Sequence, residues 1–140
     1  MSTVLRHTFL VLLASTLLIA QSQNSNNKNS GNMAVVDGGA GPCSIELTVL
    51  GPDTKPVYNA SVKVHVSYGF GGFHRLDLQA GTNTDGKAKF TGLPTRVHRP
   101  PLEVDATKDD LSGTITFDPA TQCQAAQQIT LQKTPPPAAQ

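Results

Sequence analysis

The fold of this chain is decided by one stretch, Asn83-Thr84-Asp85-Gly86-Lys87-Ala88-Lys89-Phe90-Thr91-Gly92-Leu93-Pro94. The dipeptide Asp85-Gly86 favours positive φ at a tight turn, and alternating residues follow it. Ala88 and Phe90 fall on one face of the predicted strand, while the two lysines between and before them fall on the other. Gly92-Leu93-Pro94 then ends the strand. The stretch therefore predicts a hairpin turn that leads into a strand with one buried face.

One-sided alternation recurs on both sides of this stretch, between turn signals such as Gly51-Pro52-Asp53-Thr54. Apolar and polar residues alternate over six further runs, 43–49, 62–66, 76–78, 102–106, 113–117 and 129–131. Together they make about seven strands at spacings of roughly ten residues, which is typical of sandwich folds. No segment has a helical period of helix length, and 122–128 has room for one short helical turn at most. We predict an all-β, single-domain fold, a seven-stranded antiparallel β-sandwich whose strands turn their apolar faces inward.

The 140-residue chain divides into four predicted segments. Residues 1–22 have the features of a secretory signal that is cleaved near Ser22, with Arg6 before an apolar run. An uncleaved membrane anchor is the alternative, although the apolar run is shorter than the roughly 20 residues of a membrane span. Residues 23–42 are rich in Asn, Ser and Gly and predict a disordered linker. Residues 43–133 hold the β-sandwich domain, and 134–140 form a proline-rich tail.

The charge balance limits the classes of partner that the sequence predicts, and the cysteine content indicates the compartment. Once the predicted signal is removed, basic and acidic residues are equal in number and form no clear cluster. Nucleic-acid binding is therefore not predicted, because it needs clustered positive charge, and charge gives no support for recruitment to a membrane surface. Cys43 and Cys123 are expected to form a disulfide in an oxidising compartment, which makes the protein secreted or periplasmic. We expect no membrane span after signal removal.

Two runs, 55–64 and 84–94, follow the sequence pattern of a known family. The first run is Lys55-Pro56-Val57-Tyr58-Asn59-Ala60-Ser61-Val62-Lys63-Val64, and it looks like the G-x-P-V-x-G-A-x-V-x-V pattern of carboxypeptidase regulatory-like domains. Asn59 stands where that family usually has glycine. The second run resembles the family's T-D-x-x-G-x-F-x-F-x-x-L-P segment, with a turn one or two residues tighter. After it the family tends to read G-x-Y-x-V, whereas 95–104 is longer here and carries two prolines.

This resemblance covers about 43–132. It implies a transthyretin-like (prealbumin-like) sandwich of seven strands. It also implies an accessory module of a secreted or surface protein, because most family members lack an active site of their own. Some transthyretin-like sandwiches are hydroxyisourate hydrolases, but those end in a Tyr-Arg-Gly-Ser motif that is absent from 134–140.

The histidines after the predicted signal are His65, His74 and His98, and they are candidates for a metal or acid–base cluster with Asp77. His65 lies on the polar face of a predicted strand, and the other two histidines lie in predicted loops. No pair has the close spacing on one element that is typical of a ligand set. We therefore predict no catalytic residue, no metal site and no cofactor. A small metal-dependent or hydrolytic enzyme that uses His74, His98 and Asp77 stays the alternative.

Two other groups of residues have both a functional and a simpler interpretation. Asn83, Asp85, Asp109 and Asp110 carry oxygen atoms suited to Ca²⁺, but their spacing matches no known calcium loop. The simpler interpretation gives Asp85 its role in the turn. Asn59-Ala60-Ser61 is a formal N-glycosylation acceptor, which has meaning only in a eukaryotic source.

The run Tyr68-Gly69-Phe70-Gly71-Gly72-Phe73-His74-Arg75 is the predicted binding loop. Aromatic rings and an arginine in a glycine-rich loop suit contact with a protein or a glycan. The candidate binding residues are Tyr68, Phe70, Phe73, His74 and Arg75. The alternative is that Phe70 or Phe73 folds back and covers the open end of the sandwich.

The sequence as a whole predicts a secreted or periplasmic, non-catalytic β-sandwich module for binding or scaffolding, with an unidentified protein or carbohydrate partner. Besides the small enzyme named above, a structural subunit that self-assembles through exposed sheet edges is an alternative. Its oligomeric state is not predicted.

Overall fold

A computed structural model describes residues 31–135 of the chain. Within this range the protein forms nine β-strands and one 3-10 turn at Phe70–Gly72. The strands are β1 (Ala34–Asp37), β2 (Cys43–Leu50), β3 (Ser61–Tyr68), β4 (His74–Gly81), β5 (Lys87–Leu93), β6 (Leu102–Lys108), β7 (Leu111–Phe117), β8 (Gln124–Thr130) and β9 (Gln132–Lys133). No helix in this part of the chain has the length and hydrophobicity needed to cross a membrane. The predicted signal 1–22, the first part of the predicted linker and residues 136–140 lie outside the described residues.

The strands form two sheets that face each other across one apolar core. The four-stranded sheet has the order β1-β5-β2-β8, and the five-stranded sheet has the order β4-β3-β6-β7-β9. Both sheets supply fully buried side chains, the largest of which include Phe90, Ile45 and Leu47 from one sheet and Phe117 and Val104 from the other. Each of these belongs to a strand whose alternate residues face solvent, which is the pattern that the sequence predicts. The predicted single-domain all-β sandwich is confirmed.

Two pairs of neighbouring strands are parallel, whereas the sequence predicts an antiparallel sandwich. β1 pairs with β5 in parallel, and β8 pairs with β2 in parallel, while the other pairs are antiparallel. β1 lies inside 23–42, so the part of this range that forms the strand is not the disordered linker we predicted. Its apolar residues Ala34 and Val36 pack against the core, and Val36 lies opposite Phe90 in the ladder. This small apolar patch gains enough burial to extend the sheet, so the domain begins before Cys43.

The turn at 83–86 does not form the hairpin that the sequence predicts. β4 belongs to the five-stranded sheet and β5 to the four-stranded sheet, so the turn carries the chain from one sheet to the other. The Asn83 side chain organises the turn, because its Oδ1 accepts the N–H groups of Asp85 at 3.0 Å and Lys87 at 2.8 Å. The Gly86 N–H donates to the Asn83 carbonyl at 2.9 Å. The local turn chemistry is therefore as expected, while its place in the topology is different.

The strand after this turn has the predicted faces. Ala88 and Phe90 have no exposed surface, whereas the lysines beside them are partly exposed. Gly86 is required at the start of the strand because its φ is 72° and a Cβ there would lie 2.5 Å from the Val49 carbonyl oxygen.

The range 122–128, which had room for a helical turn, contributes most of β8 instead. Ala125 and Ile129 are buried against the core, and β8 pairs along its whole length with β2. Cys123 forms a disulfide with Cys43, and its carbonyl accepts the Ser44 N–H at 2.8 Å. The predicted disulfide is therefore confirmed, and it joins the two parallel strands where they begin.

Candidate functional site

The predicted binding loop is the connection between β3 and β4. These strands form a continuous antiparallel ladder from Ser61 opposite Gly81 to Tyr68 opposite His74, which makes 69–73 the loop of a β-hairpin. The 3-10 turn lies in this loop and closes with a hydrogen bond of 3.4 Å from the Phe73 N–H to the Phe70 carbonyl. The loop therefore has a defined backbone, which its glycines at positive φ make possible.

The two phenylalanines of the loop point into solvent. Phe70 is 93% exposed and Phe73 is 81% exposed, so neither folds back over the end of the sandwich, and that alternative is wrong. Tyr68 packs partly against the core, and its ring stacks on His74 with a centroid distance of 5.2 Å. Arg75 is exposed at the start of β4. Of the candidate binding residues, Phe70, Phe73 and Arg75 are thus free to contact a partner, while Tyr68 supports the base of the loop.

A second loop, 94–101, lies against the binding loop. Tyr68 forms an isolated β-bridge with Val97, and the His98 N–H donates to the Ser67 carbonyl at 2.6 Å. The Gly72 backbone approaches the His98 imidazole so closely that a Cβ on this glycine would lie 2.8 Å from the ring. The loop 94–101 therefore supports the connection between β3 and β4 from one side.

A groove of about 1050 Å³ crosses the outer face of the five-stranded sheet next to these loops. Its side chains come from β3, β4, the first half of β6 and the loop 94–101. The groove forms where β6 is not paired with β3. The β3–β6 ladder runs from Ser61 and stops at Val64 on β3, and residues 97–98 lie beside the remainder of that strand. This groove is not evident from the sequence, because the side chains that line it meet through the ladder register and not through their order in the chain.

Cross-strand pairs form one wall of the groove. His65 lies opposite Asp77, and the His65 Nδ1 contacts the Asp77 Oδ1. Ser67 lies opposite Arg75 on one side of this pair, and Lys63 lies opposite Gln79 on the other. These residues occupy polar, outward-facing positions of the two strands. For the three residues of β3, the alternation of apolar and polar residues in the sequence predicts this orientation.

The opposite wall adds charge of both signs. It contains Glu103 and Asp105 from β6 and Arg99 from the loop. Asp105 Oδ1 accepts a hydrogen bond of 2.7 Å from the Thr114 hydroxyl. Among residues 31–135, Arg75, Arg99 and Glu103 form no ion pair, although all three line the same groove. Their charged groups are therefore available to a ligand.

The predicted alternative cluster of His74, His98 and Asp77 is not brought together. His98 and Asp77 both line the groove, but His74 stacks on Tyr68, and the histidine beside Asp77 is His65. The described part of the chain contains no group of three or more His, Cys, Asp or Glu side chains arranged to hold a metal ion.

Two of the four residues considered for calcium, Asn83 and Asp110, have side-chain partners within the protein. Asn83 serves the turn through its Oδ1, and its Nδ2 donates to the Gly31 carbonyl at 2.6 Å. Asp110 Oδ2 lies 3.8 Å from the Lys133 Nζ. Asn59, the glycosylation candidate, is exposed in the connection between β2 and β3.

Comparisons with known proteins do not identify a family for this chain. No protein-family model matches it, and no curated protein sequence matches it. Among solved structures, it is similar to catechol 1,2-dioxygenase from Acinetobacter sp. ADP1, inhibited by bound mercury, with a TM-score of 0.45 and 10% identity over 74% of this chain and 60% of that one. For 3-chlorocatechol 1,2-dioxygenase from Rhodococcus opacus 1CP the TM-score is 0.45, with 8% identity over 72% of this chain and 65% of that one.

A third similar structure is catechol 1,2-dioxygenase from Pseudomonas arvilla C-1, with a TM-score of 0.46 and 12% identity over 79% of this chain and 61% of that one. The chain thus spans less than two thirds of the length of these three enzymes. Similarity at this level says nothing about its activity.

Proposed function

We propose that the protein is a secreted or periplasmic β-sandwich module that binds a partner through the loop between β3 and β4 and carries out no catalysis. The observation that supports this most directly is the exposure of two neighbouring large apolar side chains, Phe70 and Phe73, on a loop with a defined backbone. Aromatic side chains are enriched where proteins contact partners, and grouped exposed apolar side chains mark such surfaces. The resemblance to accessory carboxypeptidase regulatory-like domains agrees with this role.

Export to an oxidising compartment is supported by the disulfide between Cys43 and Cys123. Disulfides persist in secreted and periplasmic proteins and are rare in reducing compartments. A domain of this size also gains from such a link, because its hydrophobic core is small.

A small enzyme is the second candidate function, and the contact between His65 and Asp77 favours it. A histidine oriented by a carboxylate is a common general base. However, the side chains of His65 and Asp77 are 57% and 80% exposed, so water screens the pair, and no hydrogen bond among the described residues joins Ser67 to His65. A His65→Ala substitution separates the two proposals, because it would abolish an activity of this pair and would leave binding through the phenylalanines intact.

Self-assembly through a sheet edge is the third candidate function. The composition of β8 favours the edge that this strand forms. β8 is an outer strand of seven residues and has no charged side chain or proline, whereas the outer strand β4 has Arg75 and Asp77. Light scattering at increasing protein concentration tests this, and a monomer at every concentration would reject it.

Capture of a partner from the secreted or periplasmic fraction tests the binding function. The double substitution Phe70→Ala and Phe73→Ala is expected to abolish capture with little change in the thermal midpoint. Tyr58→Ala is the matched control, because Tyr58 is 63% exposed and precedes the opposite end of β3. Capture that survives the double substitution, or a large drop in its thermal midpoint, would count against the proposal.

A further inference from the structure

The groove and the binding loop form one continuous surface. His98 lines the groove, and its ring packs on the Gly72 backbone of the loop. Arg75 also lines the groove and lies two residues after Phe73 in the chain. The groove extends from this end along β3 to Lys63, a distance of about 13 Å at the usual rise of a strand. A chain-like ligand that follows the groove would therefore arrive at the base of the loop that carries the two exposed phenylalanines.

The groove is lined by charged side chains of both signs and so selects against a charged ligand. Arg75 and Lys63 donate hydrogen bonds, while Asp77 and Glu103 accept them. A polyanion would gain from the first two residues and be repelled by the other two, and the reverse holds for a polycation. Hydroxyl groups suit both kinds of residue, because each hydroxyl donates to a carboxylate and accepts from a cation. Hydrogen bonds to charged groups are also stronger than neutral ones.

The loop supplies the apolar part of the same recognition. The exposed rings of Phe70 and Phe73 offer flat apolar faces on the loop that adjoins the groove, and the groove itself is lined mainly by polar side chains. A sugar ring has an apolar face of C–H groups and an edge of hydroxyls, so it matches a surface that pairs aromatic rings with charged hydrogen-bonding groups.

We infer that the groove binds an uncharged, polyhydroxylated chain, that is, a neutral oligosaccharide that lies across β3 and β4 and ends against Phe70 and Phe73. This inference names the ligand class of the proposed binding module and rests on that proposed function. The groove lies on the outer face of a hydrogen-bonded sheet, so specificity comes from side chains and not from backbone pairing.

The test is isothermal titration calorimetry on the exported protein with neutral hexasaccharides of glucose, xylose, mannose and N-acetylglucosamine. At least one is expected to bind with a Kd of about 1 mM or tighter. Arg75→Gln and Glu103→Gln are each expected to weaken binding about five-fold or more, because each removes one charge-assisted hydrogen bond. The double substitution of Phe70 and Phe73 by alanine should weaken it at least about ten-fold. Lys55→Gln is the control, because Lys55 is exposed in the turn between β2 and β3.

The directions in which Arg75→Gln and Glu103→Gln change the affinity distinguish a neutral ligand from a charged one. If the groove instead binds a polyanion such as polygalacturonate, Arg75→Gln weakens binding, Glu103→Gln strengthens it and added salt weakens it. That pattern, or no binding of any hexasaccharide, would overturn the inference. If no hexasaccharide binds but capture of a protein partner still depends on the phenylalanines, the inference falls and the proposed function stands. If capture also fails to depend on them, both are wrong.

Discussion

Removal of the disulfide should cost this domain a large part of its stability. The bond between Cys43 and Cys123 spans a sequence separation of 80 residues. In the chain-entropy model, closing a loop of that length lowers the entropy of the unfolded chain by about 15 cal/mol/K, which is about 4.5 kcal/mol at 25 °C. Domains of this size are usually stable by about 5–15 kcal/mol, so the variant Cys43→Ala/Cys123→Ala is expected to be marginally folded.

The structure also indicates which strand should lose the most local stability when the disulfide is removed. β8 is an outer strand of the four-stranded sheet, pairs with β2, and begins directly after the disulfide. Without the covalent link, β8 is retained by its ladder and by the burial of Ala125 and Ile129. β6 lies between two partners in the other sheet and serves as the internal control. Amide hydrogens of β8 should therefore exchange faster in the variant than those of β6.

Urea unfolding of the oxidised protein and of the double variant measures the effect. With a slope of about 1.5 kcal/mol/M, a loss of about 4.5 kcal/mol lowers the urea midpoint by about 3 M. Reduced wild-type protein should behave like the variant, which controls for the loss of the cysteine side chains. A difference below about 1 kcal/mol would refute the loop-entropy argument. Equal acceleration of exchange in β6 and β8 would refute the local part of the reasoning.

Two further substitutions test the core and the turn between the sheets, each by urea unfolding. Phe90→Ala should lower the free energy of unfolding by about 3–5 kcal/mol because Phe90 is fully buried, whereas Lys89→Ala beside it should change it by less than about 0.5 kcal/mol; similar losses for both would contradict the assigned faces of β5. Asn83→Ala should cost about 1–3 kcal/mol, because the Asp85 and Lys87 N–H groups lose their acceptor, and Asn83→Asp should restore most of it. An Asp variant as unstable as the Ala variant would show that the Oδ1 contacts are not what stabilises the turn.

Local alternation was sufficient to predict strands where one face is buried. β3 and β6 are examples, because each alternates buried valine or alanine with exposed polar residues. The same reasoning found the end of β8 at Ile129 but failed over 124–128, because this Gln-Ala-Ala-Gln-Gln run has a weak apolar period and residues that favour helices. Pairing with β2 and the adjacent disulfide override that preference.

Topology was harder to predict because turn chemistry is local. Asp85-Gly86 and the Asn83 cap specify a tight turn, but they carry no information about which strands pair on either side of it. β1 was missed for a related reason. Two apolar residues, Ala34 and Val36, are too few to predict a strand from the sequence. They form part of a strand because β5 provides an edge beside the core with which this segment can pair.

The aromatic loop between β3 and β4 could be located from the sequence, whereas the groove could not. Aromatic residues between glycines indicated a contact surface, although their exposure required the structure. The groove depends on the hairpin register that places His65 opposite Asp77 and Ser67 opposite Arg75. From its sequence, 68–75 is predicted to be a loop, and this prediction does not pair the strands on either side, although β3 continues to Tyr68 and β4 begins at His74.

The loop 94–101 contacts both the groove and the connection between β3 and β4. If β6 paired with β3 along its whole length, the sheet would be continuous at the position of the groove. Instead, β6 separates from β3 beyond Val64, and the loop satisfies the Ser67 carbonyl through the His98 N–H. The same loop supplies Arg99 to the groove and places the His98 ring against the binding loop. The loop 94–101 thus borders the groove and also supports the connection between β3 and β4.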